Sequence, residues 1–169
     1  MSITITTELV KQLRDRTGIP IMQCQKALVE TAGDIEKAVV LLASKSAEIA
    51  SKKGERWLGA GIVSSYIHST GTVGTMVELL CETDFVAQNE EFKKLARDIA
   101  MHAAATSPEY LKATDVPAGS EAVTNGAVLL DQPFIKNPEL TITNLIQSAI
   151  QKFSEKIELS RFVRYSISK

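Results

Sequence analysis

Histidine and cysteine are scarce in this chain, with two of each among 169 residues. His68 and His102 fall on different predicted elements, and Cys24 and Cys81 form no Cys-x-x-Cys pair, so neither zinc spacing nor a disulfide framework is present. Two separated thiols suit a reducing compartment. An excess of one charge is also missing: 19 basic residues face 20 acidic ones, for a net charge of -1. Nucleic-acid binding draws on a surplus of Lys and Arg, so direct contact with DNA or RNA is not expected. No apolar run approaches the ~18–20 residues that span a bilayer. The start, Met1-Ser2-Ile3-Thr4-Ile5-Thr6, has neither the charged opening nor the apolar core of a secretory signal. A cytoplasmic location away from membranes is the expectation. The chain also lacks a Gly-x-Gly-x-x-Gly, a Walker A loop and a Gly-x-Ser-x-Gly.

What is present is an ordinary globular balance, 44% hydrophobic and 23% charged, arranged in two styles of periodicity. Residues 1–45 read as three short helices. Thr6 or Thr7 caps the first, and Leu9, Val10 and Leu13 give it an apolar face. Gly18 closes it and Pro20 opens the second, whose face is Ile21, Cys24 and Leu28. Gly33 and Asp34 separate it from the third, with Ile35, Ala38, Val39 and Leu42 inward. Helices this short must pack on one another, and so small a bundle has no room for an enclosed pocket, which suits a docking module. Residues 46–60, rich in Ala, Ser and Lys, read as a partly helical linker.

From residue 61 the period becomes two. Gly61–His68 is a strand, Ser69-Thr70-Gly71 a turn, and Val73, Thr75, Val77, Leu79 and Cys81 one face of a second strand. A long helix follows, capped by Asn89, with Phe92, Leu95, Ala96, Ile99 and Ala103 on one side. Residues 112–125 read as a loop, and Pro133 limits any strand near it to an edge or a short piece. Thr143 is the expected cap of a further helix, faced by Leu145, Ile146, Ala149, Ile150 and Phe153. A last strand is expected to show Leu159, Val163, Tyr165 and Ile167 on one face. The predicted fold class is α+β: a three-helix bundle at 1–45, then a core at 61–169 with an antiparallel sheet and helices on one side.

Two places resist a purely structural reading. At the strand-to-helix junction Thr83-Asp84-Phe85-Val86, apolar side chains occupy a connection where polar ones are expected. Either Phe85 packs into the core while Thr83 or Asp84 caps a turn, or Phe85 is an exposed knob that fills a partner's pocket. In Thr17-Gly18-Ile19-Pro20-Ile21-Met22, Ile21 and Met22 either complete the small core or dock a partner's helix. His102 reads as a hydrogen-bonded structural histidine and Cys81 as a packed thiol.

Several stretches together resemble one family. They are Val10-Lys11-Gln12-Leu13-Arg14-Asp15-Arg16-Thr17-Gly18, Gly33-Asp34-Ile35-Glu36-Lys37-Ala38-Val39, and Thr83-Asp84-Phe85-Val86-Ala87-Gln88-Asn89-Glu90-Glu91-Phe92. They continue with Leu130-Asp131-Gln132-Pro133-Phe134-Ile135-Lys136 and Arg161-Phe162-Val163-Arg164-Tyr165. In this order they resemble elongation factor Ts over nearly the whole chain. The resemblance implies that the opening module is ubiquitin-associated-like. It implies a guanine nucleotide exchange factor for elongation factor Tu that does no covalent chemistry and needs no cofactor or metal. It implies that Thr83, Asp84, Phe85 and Val86 enter near the partner's nucleotide, with Phe85 as wedge and Val86 extending the apolar tip, and disturb Mg²⁺ binding there. Leu13, Ile21 and Met22 would dock the module on the partner. Gln88 departs from the basic residue of many relatives. The stretch from Met101 to Leu130 is too short for the second core subdomain and helical insertion of long members. In short members two copies can pair, so that each partner molecule meets two core domains, and a homodimer is the expectation. Two rival readings remain: an adaptor whose bundle alone binds a partner, and a small hydrolase or transferase using His102 with Cys81 or Glu82.

Overall fold

The computed structural model describes residues 5–52, 55–120 and 126–167. The rest, including 53–54 of the expected linker and 121–125 of the expected loop, lie outside the described residues. The chain begins with three helices, α1 (Thr7–Thr17), α2 (Ile21–Glu30) and α3 (Ile35–Lys52). The Thr6 hydroxyl accepts from Leu9 N–H to start α1, and Gly18, at φ 68°, accepts the left-handed turn that ends it. Val10, Leu13, Ile19, Cys24, Ala27, Leu28, Ala38 and Leu42 interlock as the bundle's own core. α3 runs on to Lys52, into the first part of the stretch read as a partly helical linker. Ser46 is buried on it, satisfied by Leu42 O at 2.8 Å, and the Gln151 amide donates to the Ser46 hydroxyl from the other side.

The sheet is three-stranded and antiparallel, in the order β1 (Ala60–Ile67), β2 (Val73–Cys81), β5 (Ile157–Ser166). Thr75, Val77, Leu79 and Cys81 point inward, as the alternation requires. Thr75 is tolerated there because its hydroxyl donates to Ala100 O at 2.6 Å. Between β2 and β5 come α4 (Asp84–Ala87), α5 (Glu90–Thr106), a two-stranded ribbon of β3 (Pro133–Phe134) and β4 (Asn137–Thr141), and α6 (Ile142–Phe153). α4, α5 and α6 cover the inner face of the sheet, around Phe92, Ile99, Ile142, Ile146 and Leu159. The architecture is α+β with helices on one side.

Three local expectations change. Thr141, not Thr143, caps α6: its hydroxyl accepts from Asn144 N–H at 3.1 Å while the Asn144 side-chain oxygen Oδ1 accepts from Thr141 N–H at 2.9 Å. Thr143 instead donates to Leu130 O at 2.8 Å. β4 was not expected. The face of β5 is the third change. Glu78 pairs with Arg161 but Leu79 pairs with Leu159, so Ser160 is bulged out. One extra residue reverses every side chain beyond it. Leu159 is therefore buried, whereas Val163, Tyr165 and Ile167 are exposed and Phe162 takes the inner place.

The N-terminal helices rest on α6 and β4 through polar contacts. Ser148 donates its hydroxyl to Gly18 O, and the Asn137 amide donates to Asp15 O at 3.2 Å.

Candidate functional site

β2 ends at Cys81 and the chain turns at once into the single helical turn α4. Thr83 is extended (φ -129°, ψ 152°) and its hydroxyl caps α4 by accepting from Val86 N–H at 3.4 Å. Six residues after Thr83, Asn89 accepts from Glu91 N–H at 2.9 Å and starts α5. Two caps six residues apart leave the corner little freedom, because each fixes the backbone on its side.

The two readings of the junction separate here. Phe85 is 83% exposed, the most exposed of the large apolar side chains among the described residues. Val86 is 2% exposed and packs with Ala87, Cys81 and Phe92. The expectation that Val86 extends the apolar tip is therefore corrected. On a helical turn, neighbouring side chains diverge by about 100°, so Phe85 faces out because Val86 faces in. Thr83 and Asp84 are exposed, and the Asp84 carboxylate makes no hydrogen bond or ion pair among the described residues. The corner presents one aromatic ring beside one uncommitted carboxylate.

The module divides in the same way. Leu13 is 0% exposed and sits in the bundle core, so it is corrected from a docking side chain to a packing one. Ile21 and Met22, on the first turn of α2, are 50% and 65% exposed. Pro20 opens that turn and Ile19 anchors it from inside. These two apolar side chains meet water for want of anything to pack on.

His102 and Cys81, which the hydrolase reading would pair, are both buried and occupied. His102 Nε2 donates to Gln132 Oε1 at 2.9 Å, and His102 Nδ1 accepts from Ile135 N–H at 3.2 Å, so the network holds the neutral ring. Burial lowers its pKa, partly opposed by the Gln132 bond. The Cys81 thiol donates to Thr83 O at 3.3 Å, and burial, with the Glu155 charge nearby, pushes it up to about 11. A thiol at that value carries no thiolate near neutrality. Among the described residues, no group of three or more His, Cys, Asp or Glu side chains is placed to hold a metal ion. Nor is any helix among them long and apolar enough to cross a membrane.

A sequence model of the family described as elongation factor TS matches residues 4–123. Proteins named elongation factor Ts align along nearly the full chain. The one from Carboxydothermus hydrogenoformans is 41% identical over 193 positions, covering 96% of this chain and 89% of the relative. The one from Thermodesulfovibrio yellowstonii is 41% identical over 194, covering 98% and 97%. The one from Syntrophomonas wolfei is 42% identical over 193, covering 96% and 90%. The chain belongs to the elongation factor Ts family. Its role is in translation elongation. The alignments with the Ts relatives span more positions than this chain has residues, so those relatives carry segments absent here. In this Ts family member the corner is the candidate site. The residues of the corner are legible in the sequence, but what holds it is not: Glu82, just past the end of β2, and Glu155 from the turn after α6. Seventy-two residues separate Thr83 from Glu155, so no local pattern signals the pairing.

Proposed function

We propose that the protein is a guanine nucleotide exchange factor for elongation factor Tu and performs no covalent chemistry itself. The observation that carries this is Phe85, 83% exposed on a corner fixed by caps at both ends. A large apolar ring held in water has a use when a partner's pocket receives it. Residues 1–45 act as the docking module, with Ile21 and Met22 as its apolar contacts, residues 46–60 join it, and 61–169 carry the corner. The partner holds GDP through phosphate contacts and a Mg²⁺ ion. Thr83 and Asp84 meet polar groups near that site while Phe85 wedges between side chains. Burying one Phe contributes about 1.5–3 kcal/mol, which stabilises a partner conformation with disturbed Mg²⁺ coordination. With the ion's charge displaced, the diphosphate loses its main counter-charge and leaves faster. The coupling is reciprocal, so an incoming nucleotide weakens the complex by the same factor and releases the protein.

The test is release of a fluorescent GDP analogue from elongation factor Tu. The wild type accelerates release, and Phe85→Ala loses roughly 10- to 100-fold of that acceleration. A folded wild type without effect removes the exchange reading and restores the adaptor. Acceleration untouched by Phe85→Ala keeps exchange and removes the wedge.

Two copies of the chain are also proposed to pair. The outer face of the sheet supports this. Met76 lies beside Val163, and Ile67 and Tyr165 flank Gly74, in adjacent rows that meet solvent. The next row holds Glu78 and Arg161, ion-paired at 2.8 Å. An apolar patch edged by both charges is self-complementary across a two-fold axis.

A further inference from the structure

Phe85 touches little of its own chain, so its direction is set by the backbone of residues 82–86 alone. That backbone is tied to a distant turn. α6 ends at Ser154 in a left-handed conformation (φ 56°), and the next residue, Glu155, lays its carboxylate against the corner. Oε2 accepts from the N–H groups of Glu82 and Thr83, each at 3.1 Å, and Oε1 accepts from the Thr83 hydroxyl at 2.6 Å. The tie is returned. The Glu82 carboxylate accepts from Lys156 N–H, and the Arg56 guanidinium donates to both Glu82 oxygens at 3.3 Å.

Residues 82 and 83 lie just past the end of the β2 ladder, and there it is Glu155 that receives both of their N–H groups. A carboxylate accepting two of them at once fixes both peptide planes, and its charge strengthens each bond. We infer that Glu155 is a positioning residue for Phe85, holding the corner in the geometry that presents the ring before any partner arrives. The inference rests on the exchange reading. Presenting a preformed wedge avoids the ordering cost of binding.

The experiment measures GDP-analogue release from elongation factor Tu as a function of factor concentration. It compares full-length wild type, Glu155→Ala, Glu155→Asp, Glu155→Gln, Phe85→Ala, and Phe85→Ala combined with Glu155→Ala. Glu155→Ala is expected to lower the maximal release rate roughly tenfold, the scale of lost hydrogen bonds to a charged acceptor. The half-saturating concentration, set partly by Ile21 and Met22, is expected to move by less than about twofold. Glu155→Gln keeps an oxygen for the two N–H groups and retains most of the rate. Glu155→Asp keeps the charge but falls a methylene short and loses rate as Ala does. If the Ala variant does not fold, the Gln and Asp pair makes the same distinction. In the Phe85→Ala background, removing Glu155 costs much less than it does in the wild type, because there is no ring left to position. Full rate in Glu155→Ala or Asp, or a loss that adds undiminished to that of Phe85→Ala, overturns the role of Glu155 and leaves the exchange reading standing. A wild type that does not accelerate release overturns both.

Discussion

Phe85 and Val86 are adjacent and apolar, yet one is in water and the other in the core. The same division holds for Ile21 and Met22 against Leu13. Burial sorts these residues into those that maintain the fold and those free to meet a partner. His102 falls with the first group. Thr106 donates its hydroxyl to Gln132 Oε1 at 2.8 Å, the oxygen that His102 also uses, and the Gln132 amide donates to Gly126 O at 2.6 Å. This network has no place for a second proton on the ring. Its pKa is lowered from the ordinary 6.5, chiefly by burial. Above pH 6.5 the ring is neutral folded and unfolded, and stability is at its full value. As pH falls below 6.5 the unfolded chain takes up a proton that the folded chain refuses, so stability is lost until the folded pKa is reached. The urea midpoint is therefore expected to be lower at pH 5.5 than at pH 7.5, with a smaller difference in His102→Gln. Equal midpoints in the wild type would show that His102 is not acid-sensitive.

At the scale of elements, caps and one bulge decide what the periodic patterns leave open. α6 carries a strong apolar stripe, but two threonines compete to start it, Thr141 and Thr143. Asn144 settles the choice, since only Thr141 stands three residues before it and can exchange bonds in both directions. Replacing Thr141 by Ala is expected to cost about 1 kcal/mol of unfolding free energy. Chemical denaturation measures it, and an unchanged midpoint would mean that water replaces the cap at no cost. The bulge at Ser160 is of another kind. Alternation along β5 alone puts Leu159 and Val163 on one face, and nothing within that strand marks the extra residue. The bulge exists in the pairing with β2, so it can be read only with both strands present. Its consequence reaches the core: Phe162 packs inward, and the Arg164 guanidinium, also inward, donates to Ala104 O at 3.2 Å.

For the whole molecule, the sheet has one face covered by helices and one open. The open face carries Val63, Ile67, Met76, Val163 and Tyr165 together. The bulge assembles this patch by turning Val163 and Tyr165 outward to join Met76 and Ile67. If two copies pair there, Met76→Lys with Val163→Lys is expected to convert a dimer to a monomer in sedimentation velocity while far-ultraviolet circular dichroism stays unchanged. A wild type that sediments as a monomer at micromolar concentration would remove the dimer. The same variant in the GDP-release assay tells whether one copy of the corner suffices.

The sequence by itself determined the two kinds of structure, the inner face of β2, the stripe of α5 and the residues of the corner. Those depend on neighbours within one or two turns of chain, and periodicity and caps act over that range. The tertiary structure decided which apolar residues face water, which way β5 turns after Ser160, and that Glu155 grips the corner from seventy-two residues away. Each depends on two segments meeting in space, and a one-dimensional pattern carries no record of which segments meet.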